Sequence, residues 1–137
     1  VYVVNSISDN VSVIDTITNK VVQTIPVGRN SVSAVAVGNH VYVVSGASSN
    51  VSVIDASTNK VVHIIPVGVA PGTPVAVGNH VYVVNSISDN VSVIDTITNK
   101  VVQTIPVGRN SVSAVAVGND VHVTYYRSNA VTVIRAY

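Results

Sequence analysis

The side chains able to do chemistry recur at one spacing. His40, His80 and Asp120 stand 40 positions apart. Imidazoles and a carboxylate are ligands for zinc or copper, so this trio is the candidate metal site. Equivalent positions on separate structural repeats are usually too far apart to share one ion. Exposed turn residues are therefore the expected role, and no bound metal is expected. Asp15, Asp55 and Asp95 share the same spacing. No second carboxylate stands next to any of them, so calcium ligation is not indicated. A turn role is, because an Asp side chain bonds nearby backbone. His63 and His122 are single substitutions inside apolar runs and read as packed or edge residues.

A second set has binding rather than catalytic character. Asp9, Arg29 and Asn30 recur as Asp89, Arg109 and Asn110. Arginine recognises carboxylates through paired hydrogen bonds, so these six residues could take an anion or an acidic partner. The simpler reading is solvated loop charge, copied with the repeat. The middle copy replaces the set with Ser49, Val69, Ala70 and the stiff run Pro71-Gly72-Thr73-Pro74, expected to be loop. Asn10, Asn50 and Asn90 open Asn-Val-Ser sequons, which are glycosylation acceptors in an exported chain of a glycosylating host. Each also suits the turn that precedes a strand.

The inventory for catalysis is poor. The chain has no Glu and no Cys, and carries neither a G-x-S-x-G elbow nor a glycine-rich phosphate loop. No pair of acids suits general acid–base work. No enzyme activity and no cofactor are expected. Lys and Arg number 7 against 6 acids, with no basic run, so no field gathers nucleic acid. Of the six tyrosines, Tyr2, Tyr42 and Tyr82 share one repeat position and belong to a core, which leaves no stacking platform for bases. No run of 18 apolar residues is present, so no transmembrane helix is expected. A chain opening on Val1 is expected to be processed or part of something longer.

The elements that position these residues follow from the repeat. Residues 1–40 and 81–120 are identical except that Asp120 replaces His40. Residues 41–80 keep the same frame, and 121–137 begin a fourth copy. Leu, Met, Phe and Trp are absent while Val, Ile and Thr dominate, a composition for pleated sheet. Each copy reads as four strands: Val1–Val4, Val11–Asp15, Val21–Val27 and Ser33–Val37. Polar turns separate them, and Gly38–Asn39 forms a hairpin into Val41–Val44. Adjacent apolar pairs such as Val3-Val4 and Val13-Ile14 require burial on both faces. Small sheets buried on both sides must stack between like sheets, and four strands in 40 residues fit a propeller blade.

The runs Val1–Asn5 (VYVVN), Asn10–Thr16 (NVSVIDT), Thr18–Val22 (TNKVV), Ile25–Gly28 (IPVG) and Val35–Gly38 (VAVG) resemble the YVTN β-propeller repeat family. The family's Thr is Val at Val4 and Val84, and returns only at Thr124. The last copy also carries Tyr125-Tyr126-Arg127 where the others have small polar residues. The resemblance implies an all-β propeller of four-stranded antiparallel blades. Its innermost strand A is Ser33–Val37, followed by B (Val41–Val44), C (Val51–Asp55) and D (Val61–Val67). The D–A and B–C loops then share one face, which carries the six candidate binding residues. About three and a half repeats (1–40, 41–80, 81–120 and partial 121–137) supply two whole blades, one lacking A and one lacking D. Four imperfect blades could close alone, two chains could share a ring, or the chain could belong to a larger propeller.

The resemblance also implies a surface-layer or secreted protein, on a cell or particle surface. The expected function is a non-enzymatic structural or interaction propeller, with a protein partner or self-association. The alternative is a lactonase-like or quinoprotein-like propeller with a metal or ligand in its channel.

Overall fold

The computed structural model describes residues 1–136, and every regular element among them is a strand. Strands β1 (Tyr2–Asn5), β2 (Asn10–Asp15) and β3 (Lys20–Pro26) form the first sheet. The second comprises β4 (Ser31–Val37), β5 (His40–Ser45), β6 (Asn50–Asp55) and β7 (Lys60–Pro66). The third repeats this with β8 (Pro71–Val77), β9 (His80–Asn85), β10 (Asn90–Asp95) and β11 (Lys100–Pro106). The fourth has three strands, β12 (Ser111–Val117), β13 (Asp120–Tyr125) and β14 (Val131–Arg135). Each sheet is an antiparallel meander in chain order, and β4, β8 and β12 adjoin one another as the innermost strands. The architecture is an all-β propeller arc, with strand A missing from the first blade and strand D from the last.

The turns explain the strand boundaries. At each A–B hairpin a glycine takes the left-handed conformation: Gly38 (φ 56), Gly78 (φ 57) and Gly118 (φ 58). At the C–D turn, Asp15 Oδ1 accepts the Ile17 N–H at 2.8 Å, while Asn19 sits at φ 55. Asp55 and Asp95 make the same bond, to Ser57 and Ile97. The aspartates are thus turn formers, as their spacing suggested.

Most strands extend one or two residues beyond their sequence-based bounds. The largest correction is Pro71–Pro74, expected as loop but forming the start of β8, with Pro71 opposite Asn85 and Pro74 opposite Val83. The ladder shifts register between those two positions, and β4 and β12 shift at the same place. An innermost strand has one free edge and here a bulge, the two settings in which a sheet tolerates proline.

The core lies between blades rather than within them. Val11, Val13 and Ile25 of the first blade pack on Val41, Val43 and Ile54 of the second. Val44, Val51 and Val53 of the second meet Val81, Val83 and Ile94 of the third. Val84, Val91 and Val93 of the third meet Val121, Val123 and Ile134 of the fourth. Strands B and C of the middle blades are therefore buried on both faces, which accounts for their unbroken apolar pairs. The arc does not close on itself: Val1 on the first blade and Val117 on the last remain 62% and 60% exposed.

Tyrosines tie neighbouring blades together. Tyr2 donates its hydroxyl to Asn59 Oδ1, and Tyr42 donates to Asn99 Oδ1, both at 2.7 Å across a blade boundary. Burial, and secondarily the Asp95 carboxylate, push the Tyr42 phenol above its ordinary value of 10.0.

Candidate functional site

The B–C and D–A loops form one face, and hydrogen bonds fix them to each other. Gly46 N–H donates to Asn30 O at 2.9 Å, and Ala47 N–H to Arg29 O at 3.2 Å. Arg29 N–H in turn donates to Ser48 Oγ at 2.7 Å. One blade on, Ser86 and Ile87 donate to Ala70 and Val69, and Val69 N–H reaches Ser88 Oγ. Each D–A loop is also bonded to the preceding B–C loop, through Val27 to Asp9 O, Val67 to Ser49 O and Val107 to Asp89 O. Loops bonded on both sides behave as extensions of the sheets rather than as free connections.

Four of the six sequence-predicted binding residues have a backbone role here. Asp9, Asn30, Asp89 and Asn110 lie at φ 53–57, the left-handed region that Asn and Asp enter most readily after Gly. Asp9 Oδ1 also accepts the Asn30 N–H at 2.8 Å, so this carboxylate braces the loop. Arg29 and Arg109 project into solvent, and neither forms an ion pair among the described residues. The six residues share the loop face, where Asp9 and Asn30 are joined directly.

Apolar side chains are what the sequence reading missed. Ile7 and Ile87 at the B–C loop tips are 96% and 70% exposed, and Tyr126 in the last B–C loop is 72% exposed. Ile87, Ser86, Asn110, Ser111, Val112 and Tyr126 line an open cleft of about 360 Å³ between the third and fourth blades. Ser111 Oγ is buried there without a hydrogen-bond partner among the described residues. The Arg127 guanidinium stacks over the Tyr126 ring at 5.5 Å. The sequence signal was available: Ile inside Ser-Ile-Ser-Asp has no alternating apolar neighbour and belongs to no strand.

The possible metal trio stays dispersed. His40 faces Asp55 across the B–C ladder, His80 faces Asp95, and Asp120 faces Arg135. The last pair is an ion pair at 3.2 Å. No group of three His, Asp or Glu able to hold a metal ion occurs among the described residues. The substitution of His by Asp120 thus accompanies an Arg on the facing strand. Two of the sequon asparagines accept side-chain bonds within their sheets: Asn5 Nδ2 donates to Asn10 Oδ1 and Ser12 Oγ, and Asn85 Nδ2 to Asn90 Oδ1 and Ser92 Oγ, at 2.8 and 2.9 Å in both cases. Asn85 is fully buried against the glycine of the preceding blade's IPVG run.

The comparisons with known proteins agree on the fold alone. No family model and no curated protein matches the sequence. Among solved structures, hydrazine synthase of Kuenenia stuttgartiensis superposes on 98% of the chain with a TM-score of 0.88 at 21% identity. Dihydro-heme d1 dehydrogenase NirN superposes on 98% at 0.77 and 19% identity, and BamB of Moraxella catarrhalis on 93% at 0.70 and 16%. All are β-propeller structures, which establishes that fold for this chain. The chain spans 42%, 34% and 40% of their respective lengths. The propellers it resembles therefore include proteins named as enzymes, a synthase and a dehydrogenase.

Proposed function

We propose that this chain is a non-enzymatic interaction propeller of the YVTN type, displayed on a cell or particle surface. Its B–C and D–A loop face holds a protein partner. One observation carries the reading: Ile87 and Tyr126 stand exposed beside an open cleft, Ile87 on a loop bonded to a D–A loop on either side and Tyr126 with its N–H bonded to Asn110 O. Apolar and aromatic groups presented by a rigid backbone lose little entropy on docking, which is what a binding surface requires. The partner contributes an apolar side chain to the cleft. The chain self-associates or forms part of a larger propeller.

A photo-crosslinking side chain at position 87 tests the reading, with the same group at Ser57 on the opposite face as control. Position 87 should yield a discrete crosslinked protein that position 57 does not. That protein, once purified, should bind the chain about tenfold more weakly after Ile87→Ser or Tyr126→Ser, the scale of one lost apolar anchor. Equal labelling from both faces, or unchanged affinity, refutes the loop-face assignment. Stoichiometric zinc, copper or calcium in the purified protein would instead favour a channel site.

A further inference from the structure

Asn5, Ser45, Asn85 and Tyr125 hold one repeat position, the end of strand B. Across the ladder Asn5 faces Asn10, Ser45 faces Asn50 and Asn85 faces Asn90. In the first and third blades the strand-B amide donates to that facing Oδ1 and to a serine Oγ two residues further on. In the fourth blade both members of the pair change. Ala130 stands at the acceptor's position, and the Tyr125 hydroxyl takes the Gly108 N–H at 2.9 Å and bonds with Thr132. Among the four copies, the second keeps the acceptor and loses the amide donor.

The consequence is visible in the second blade. Ser45 is fully buried, and its Oγ has no hydrogen-bond partner among the described residues; nor has the buried Oδ1 of Asn50. Both atoms lie against Gly28 of the preceding blade, where a Cβ would stand 2.8 Å from each. Ser52, also buried, holds the position at which Ser92 accepts the second amide bond of Asn85. A buried acceptor without a donor is costly, and native interiors supply one. Serine is shorter than asparagine by most of the amide, which leaves space on the scale of one water. We propose that the second blade binds a single buried water at this place. The water donates to Asn50 Oδ1 and Ser52 Oγ, as the Asn85 amide does to Asn90 and Ser92, and accepts from the Ser45 hydroxyl. About three such bonds are the usual complement of a buried water. No carboxylate is among the three groups, so a small neutral donor suits the site better than a divalent cation. The site lies between the first and second blades, at the root of a B–C loop: Ser45 precedes Gly46, whose N–H is bonded to Asn30 O. The water thus belongs to the platform that holds this loop. The inference is independent of what the loop face binds.

Oxygen-17 relaxation dispersion counts long-lived buried waters in solution and tests the assignment. Ser45→Asn restores the amide in the surroundings that Asn85 already fits, and should lower the count by one. It should also raise the folded-to-unfolded ratio in urea, by no more than about thirtyfold, the bound for releasing one ordered water. Asn85→Ser makes the reverse exchange in the third blade, beside Asn90 and Ser92, and should raise the count by one. That second variant keeps the test decisive if Ser45→Asn fails to fold. A high-resolution crystal structure of the parent chain should place the water within hydrogen-bond reach of Ser45, Asn50 and Ser52. An unchanged count in a folded variant, or electron density with Ser45 Oγ bonded directly to Asn50 Oδ1, would overturn the proposal.

Discussion

Replacing Tyr42 with Phe tests the inter-blade ties most cleanly. The ring stays and only the hydroxyl goes. Tyr42 is fully buried, and its hydroxyl donates to Asn99 Oδ1 at 2.7 Å in the next blade. Phe leaves that acceptor short of a donor. Asn99 is half-buried, so water recovers part of the loss. The expected cost is about 1.5 kcal/mol, within the range for a buried bond broken on one side. That corresponds to a melting point lower by about 5 °C in a chain of this size. Urea denaturation should show the midpoint falling with an unchanged slope. Tyr2→Phe removes the matching 2.7 Å bond to Asn59 at a half-exposed site and should cost about half as much. A cycle combining Tyr42→Phe with Asn99→Gly, which preserves the left-handed backbone at φ 55, should return a coupling of about 1 kcal/mol. A loss no larger than that of the exposed Tyr126→Phe, or zero coupling, would refute the claim that this bond joins the blades.

Three further outcomes follow from the same geometry. A Cβ at Gly68 would stand 2.6 Å from Asn85 Cγ, a side chain already held by Asn90 and Ser92, so Gly68→Ala should cost about 2–3 kcal/mol in urea unfolding. Gly38→Ala meets nothing within 4 Å and should cost only about 1 kcal/mol, from its φ of +56. Ala70 occupies the left-handed position held elsewhere by Asn30 and Asn110, so Ala70→Asn should stabilise by about 0.5–1 kcal/mol in the same assay. Because the folded state raises the Tyr42 phenol above 10.0, the stability it contributes is intact below pH 10 and is lost as pH rises through the higher folded value. Urea midpoints measured across that range should fall more steeply for the parent chain than for Tyr42→Phe.

The fold was legible because one pattern recurred with its turns intact. Val-Ser-Val alternation, the Gly38–Asn39 hairpin and the Asp15–Asn19 turn each name a local conformation. Repetition at 40 residues then forces like sheets to stack. Pro71–Pro74 misled because proline normally ends a strand, and only the bulge at the start of strand A makes room for it. The candidate site was less legible. Charge drew attention to Asp9, Arg29 and Asn30, and the structure adds that Asp9 and Asn30 hold left-handed backbone. Ile87 belonged to no strand and Tyr126 departed from the repeat, but their exposure beside one cleft emerges only from the structure. The Asp120–Arg135 pair could be read only once strands B and C were in register.

The account turns on loops that are as rigid as the blades beneath them. Amide hydrogen exchange measures this directly, residue by residue. The amides of Gly46, Ala47, Ser86 and Ile87, each bonded to a D–A loop carbonyl, should exchange as slowly as strand amides such as Val43 and Val83. Exchange at the rate of unprotected loop amides, with the strands still protected, would contradict rigid presentation and the function built on it.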